Sequence, residues 1–158
     1  MPIFEPVVIL KPEMVQIAES ARVDSFVKIE GGQGVTIGEY THIASFCHVN
    51  VGGGKVTIGK HVGLASGAKV LGGSASPRGL SMSAASPPEM QVITHRHTVI
   101  GDYCLIGTNA IVREGVQMGE GSVLAAGSVA THDIPPWTIA AGEPAKVIKP
   151  REHDAATR

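Results

Sequence analysis

Two histidines, His95 and His97, stand one residue apart in the stretch THRHTVIGDYCLIGTNAIV at 94–112. Imidazole is suited to general acid–base work near neutral pH and to metal ligation. In an extended segment, residues two apart project to the same side, so both rings can face one site with Arg96 directed away. The alternative is that the pair solvates or hydrogen-bonds the base of a loop. As a base for proton abstraction His97 is favoured over His95, because it adjoins the regular sequence that follows. His132 and His153 belong to the terminal region and read as surface residues.

What positions these residues is a repeat. From Ile100, aliphatic residues recur every six positions at Ile106, Val112, Met118 and Leu124, and Ala130 extends the series. The fifth position of each hexad is mostly small: Cys104, Ala110, Val116, Ser122, Ser128 and then Ile134. The same rule holds upstream in triplets, Ile17/Val23/Ile29, Ile37/Ile43/Val49 and Ile58/Leu64/Val70, separated by gaps of 8, 9 and 30 residues. Each insertion follows a third hexad, so if three hexads make one turn of a prism, all insertions fall near one corner.

Short strands on three flat faces, glycine at the turns and aliphatic residues stacked coil on coil describe a β-solenoid. At ~4.8 Å per strand, five coils from Ile17 to about Pro135 stand roughly 24 Å tall. A β-sandwich would instead show period-2 alternation and longer strands. Aromatics at 4% and 20 glycines fit a narrow interior filled by small and β-branched side chains. The expected organisation is one β-helix domain over 1–158. It has an N-terminal segment (1–16), three coils (17–71), an excursion (72–99), two coils (100–135) and a C-terminal tail (136–158).

A formal charge of −1 with 17% charged residues gives no broad basic face, so nucleic acid is not an expected partner. The start, MPIFEPVVILKPEM, carries Glu5 and Lys11 within its apolar run and does not read as a signal peptide. No stretch approaches the roughly 18 apolar residues of a membrane span. Cys47 and Cys104 fall at inward fifth positions on different faces, which reads as core. A cytoplasmic protein is the expectation.

The pattern [LIV]-[GA]-x-x-[STAVC]-x resembles that of the hexapeptide-repeat superfamily. The ending GSVATHDIPPWTIAAGEPAKVIKPRE resembles the acetyltransferase terminus, and THIASFCHVNVGGGKVTIGKHVGLASGAKV resembles sugar and lipopolysaccharide O-acetyltransferases of this group. The resemblance implies an all-β, left-handed parallel β-helix and a homotrimer. It also implies acetyl-CoA-dependent acetylation of a hydroxyl on a sugar or polysaccharide precursor, with N-acetylation left open. In such relatives the excursion wraps onto a neighbouring subunit and helps form the active site. The histidine that galactoside- and maltose-type relatives carry at its beginning is replaced here by Ser74 and Ala75.

Cofactor contacts implied by the resemblance are Ala125, Ala126, Gly127 and Ser128, small enough to admit a pantetheine arm, with Lys146, Lys149 and Arg151 for the phosphates. For the three basic residues the alternative is a solvated tail. His48, at a sixth hexad position like His42, and His61, at a fourth position, are reserve candidates for the base. Two other readings stand beside the enzyme. One is a non-catalytic trimeric scaffold or binding protein. The other is a metalloenzyme resembling γ-class carbonic anhydrases, whose Arg-Gly-Asp segment is missing here.

Overall fold

A computed structural model describes residues 2–154, so the first residue of the N-terminal segment and the last four of the tail lie outside it. The chain winds into a left-handed parallel β-helix with three faces. The first face stacks Arg22–Val23, His42–Ile43, Gly63–Leu64, Leu105–Ile106, Val123–Leu124 and Thr138–Gly142. The second stacks Val8–Leu10, Lys28–Glu30, His48–Val51, Lys69–Leu71, Ile111–Val112 and Val129–Ala130. The third stacks Val15–Ile17, Gly34–Ile37, Lys55–Ile58, His97–Ile100 and Gln117–Met118.

Sequence order runs from the first face to the second and then the third. Isolated bridges from Ile3 to Val23 and from Met118 to Ile134 complete the end coils. The helix therefore makes six turns and begins a seventh, more than the five counted from the hexads. Ile9 stacks on Ile29 and Ile17 on Ile37, so residues 3–17 form a coil of their own. The C-terminal strand Ala145–Pro150 pairs antiparallel with Thr138–Gly142 and folds the tail back along the first face.

Hexad starts point inward. From Val23 through Leu124 each is at most 2% exposed, and Ala130 is fully buried. The fifth positions fill the space between them, with Ala21, Ala68 and Ala110 at 0%. Full burial of each Ile or Leu contributes about 1.5–3 kcal/mol, so the stack of identical environments is the main source of stability. Cys47 and Cys104 are both buried and unbridged. Their Sγ atoms lie 3.1 Å from the carbonyl oxygens of Ala65 and Gly119, and burial pushes the Cys47 thiol up to about 11.

The three corners differ. Between the third and first faces, Tyr40, His61, Tyr103 and Trp137 all adopt the left-handed conformation, with φ of 58°, 55°, 61° and 53°. Their rings stack along the axis, 5.0 Å from Tyr40 to His61 and 5.1 Å from His61 to Tyr103. At the same corner in the intervening coil stands Gly121, φ 70°, where a Cβ would strike the Trp137 ring. Between the first and second faces, Phe26 and Phe46 stack at 5.4 Å. The corner between the second and third faces carries every insertion, and glycines 31, 32, 52, 53 and 72 line it. Asn50, fully buried with φ 63°, ties this corner together, its Nδ2 donating to the carbonyls of Glu30 and Gly54, each at 2.8 Å.

Candidate functional site

The excursion leaves this third corner as an ordered arm. Gly73–Ala75 pairs antiparallel with Ile93–His95, and the hydrogen bonds Ser76 N to Val92 O and Ser81 N to Met90 O carry the pairing outward. The arm closes at Arg96, whose N–H donates to the carbonyl of Gly72 at 2.8 Å. His97 is already back in the coil, paired with Lys55. Buried Thr98 pins the return, donating to Leu71 O at 2.6 Å while accepting from Gly115 N at 2.9 Å.

That bend separates the histidine pair. His95 ends the arm, while His97 begins a strand of the third face, so the period-2 argument for a shared site fails at Arg96. His97 Nε2 lies 2.8 Å from Thr57 Oγ1 on the neighbouring strand. His95 instead lines a groove between the arm and the glycine corner, together with Glu30 and Gly52.

Both reserve candidates have partners. His48 Nε2 lies 2.6 Å from Glu30 Oε2, with both side chains about three-quarters buried, so the carboxylate that lines the groove is held by a histidine beside it. His61 is sandwiched between Tyr40 and Tyr103 in the corner stack. A second histidine–carboxylate pair, absent from the sequence expectations, lies on the first face. His42 Nε2 is 2.8 Å from Asp24 Oδ2, and Arg22 Nε donates to Asp24 Oδ1 at 2.9 Å. Burial raises the Asp24 pKa, but the hydrogen bonds and charges of His42 and Arg22 outweigh it and hold the carboxyl below its ordinary value. Each carboxylate precedes its histidine by 18 residues, a spacing visible once the sequence is written in coils.

The implied cofactor residues are distributed over the first face and its two corners. Ala125–Ser128 form the turn between the first and second faces. Gly127 has φ 70° and open space where a side chain would project. Ser128 Oγ is already engaged, accepting from Gly142 N at 3.0 Å. Lys146 and Lys149 stand exposed on the terminal strand. Arg151 lies at the opposite corner, where its Nη1 donates to the carbonyls of Tyr103 and Gly121 and its guanidinium sits 5.3 Å from the Trp137 ring centroid. It clamps the tail to the ring stack, a task the sequence reading did not assign to it. Among the described residues no three His, Cys, Asp or Glu side chains converge as metal ligands, and no helix is long and apolar enough to cross a membrane.

Residues 97–132 match the family described as "Bacterial transferase hexapeptide (six repeats)". The chain is 43% identical over 93 residues to a 2,3,4,5-tetrahydropyridine-2,6-dicarboxylate N-acetyltransferase of Staphylococcus aureus, a match covering 59% of this chain and 32% of that protein. It thus spans about a third of the length of the curated relatives it matches. Among solved structures it is similar to AntD, an N-acyltransferase from Bacillus cereus in complex with dTDP and 3-hydroxybutyryl-CoA. The TM-score is 0.87 at 26% identity, covering 95% of this chain and 79% of that one. It is also similar to the polySia specific acetyltransferase NeuO, with a TM-score of 0.70 at 28% identity, covering 90% of this chain and 64% of that one.

Proposed function

We propose that this chain, a member of the hexapeptide-repeat superfamily, transfers an acyl group from acyl-coenzyme A to a hydroxyl or amine of a sugar-type acceptor. The observation that carries this reading is the groove at the third corner, lined by both His95 and Glu30 between an ordered arm and a glycine-lined wall. Similarity to AntD, solved in one complex with 3-hydroxybutyryl-CoA and in another, as a mutant, with dTDP-4-amino-4,6-dideoxyglucose, supports both the thioester donor and a sugar-nucleotide acceptor. Similarity to N-acetyltransferases supports an amine, beside the hydroxyl, as an acceptor group.

In this reading His95 replaces His97 as the base. It takes the proton from the acceptor as the oxygen or nitrogen attacks the thioester carbonyl, and backbone N–H groups of the glycine corner stabilise the oxyanion. His48 holds Glu30 in place across the groove. The pantetheine arm runs over Ala125, Ala126 and Gly127, with Lys146 and Lys149 meeting the phosphates; Ser128 and Arg151 act through structure. Since the donor surface and the arm leave from different corners, a homotrimer in which one chain's arm reaches the next chain's donor surface completes the site. A coenzyme A donor is consistent with action in the cytoplasm.

Calorimetric titration with acetyl-CoA, followed by thioester turnover against a panel of sugars and amino sugars, tests the proposal. Micromolar binding and turnover lost in His95→Ala but retained in His97→Ala are expected. Absence of binding at high acetyl-CoA concentration returns the chain to the scaffold reading.

A further inference from the structure

Two hollows meet at His95. One, of about 410 Å³, is walled by the glycine corner with Lys11 and Gln33. The other, of about 530 Å³, lies under the arm and is walled mainly by Val51, Leu71, Met82, Ala84 and Ile93, with Ser74 and Gln91 its own polar side chains. Glu30, Gly52 and His95 line both, so these three mark the junction. The two sides offer opposite solvents on either side of one imidazole.

A sugar loses hydrogen bonds to water wherever it is buried. The glycine side replaces them with the Gln33 amide, the Lys11 ammonium and backbone groups. Under the arm, among the described residues, Ser74 and Gln91 are the only polar side chains beyond the shared Glu30 and His95, and Gln91 Nε2 already donates to Ser86 O. Against Met82 and Ile93 it would be left unpaired. These two side chains stand 55% and 43% exposed in the free chain, and an alkyl chain laid against them removes apolar surface from water on both partners. An acetyl group brings one methyl, far too little for a hollow within the size range of whole ligand pockets.

We propose that the apolar hollow under the arm is an acyl pocket, and that the preferred donor is an acyl-coenzyme A with a chain longer than acetyl. This rests on the acyl-transfer reading above. The thioester carbonyl sits at the junction, the alkyl chain lies under the arm, and the acceptor occupies the glycine-lined hollow. The acceptor O–H or N–H proton goes to His95 as its lone pair forms the bond to the carbonyl carbon. The C–S bond then breaks with its electron pair on sulfur, and the departing thiolate takes the proton back from His95.

The test is the affinity of the full chain for acetyl-, butyryl-, hexanoyl- and octanoyl-CoA by calorimetry, which requires no acceptor. Binding tightens by about fourfold per methylene, from ~0.8 kcal/mol per buried CH₂, until the hollow is full. Ala84→Trp, which fills it, brings the ratio of hexanoyl-CoA to acetyl-CoA affinity to about one. Equal affinity along the series in the unmodified chain overturns the acyl pocket and leaves acyl transfer standing. Binding of no acyl-CoA at all overturns both. Retention of the chain-length preference in Ala84→Trp, with a changed sedimentation coefficient, shows instead that the hollow packs against another copy, and it too overturns the proposal.

Discussion

Two corners of the same prism have been put to opposite uses. Between the third and first faces, no insertion interrupts the spacing, and Tyr40, His61, Tyr103 and Trp137 come into register as a continuous stack. Between the second and third faces every insertion accumulates, and the chain lines the corner with glycine, sends out an arm and encloses a groove. Constant length permits a ladder of large rings, because Tyr40, His61 and Tyr103 meet one coil apart and Gly121, lacking a side chain, lets Trp137 reach Tyr103 across the next coil. Variable length forbids it and leaves space, and space next to His95 and Glu30 is where a ligand can enter. An imidazole at the first corner is a structural plate; at the other it is the base of the proposed transfer.

The comparison is broken most severely if the two imidazoles prove equivalent. His95→Ala is expected to lower kcat/KM by about 10²- to 10⁴-fold, whereas His61→Ala leaves turnover per folded molecule within about threefold of the unmodified chain. Steady-state kinetics on both variants decides, and similar losses would sink the division of labour. Next in size is the core that both corners share. Ile106→Ala, at a side chain with 0% exposure, should cost about 2–5 kcal/mol in urea unfolding.

The ladder itself is sharpened by Tyr103→Asn, since asparagine tolerates the left-handed backbone while deleting the ring. A loss of about 1 kcal/mol is expected from thermal or urea denaturation, with kcat/KM unchanged. The smallest effect belongs to Asp24→Asn on the first face, at most about 1 kcal/mol at neutral pH. Because Asp24 is held below its ordinary value of 3.8 by His42 and Arg22, its contribution is present above that value and fades as the pH falls through the lower folded one. The gap between variant and unmodified chain should therefore close in acid, and a gap that widened there would contradict the pairing.

Most of the fold was legible because the repeat is a statement about burial. Residues such as Ile43, Val49, Leu64 and Val70 recur for the single reason that each faces the axis. The first coil was missed although Ile3 and Ile9 are six apart, because the gap from Ile9 to Ile17 is 8 residues, the same two-residue insertion seen after Ile29. The site was less legible. Alternation assigned His95 and His97 to one side, but the arm ends between them and each joins a different sheet. Glu30 carries no local motif; its pairing with His48 arises from stacking one coil on the next, a relation invisible to any short window. Arg151, read as a phosphate ligand from its charge, is committed to two carbonyls that only the folded tail brings near.

The two buried thiols now acquire a use. Cys47 lies before the arm and Cys104 after it, each sealed in the core, and burial keeps both in the unreactive protonated form. Neither can be alkylated until its own coil opens, so their modification rates serve as two clocks on one molecule. Solenoids are held together by contacts between adjacent coils alone, and the arm interrupts the sequence at one such contact. Matching rates would mark a single cooperative unit across the interruption; a slow clock and a fast one would mark two, hinged where the groove lies.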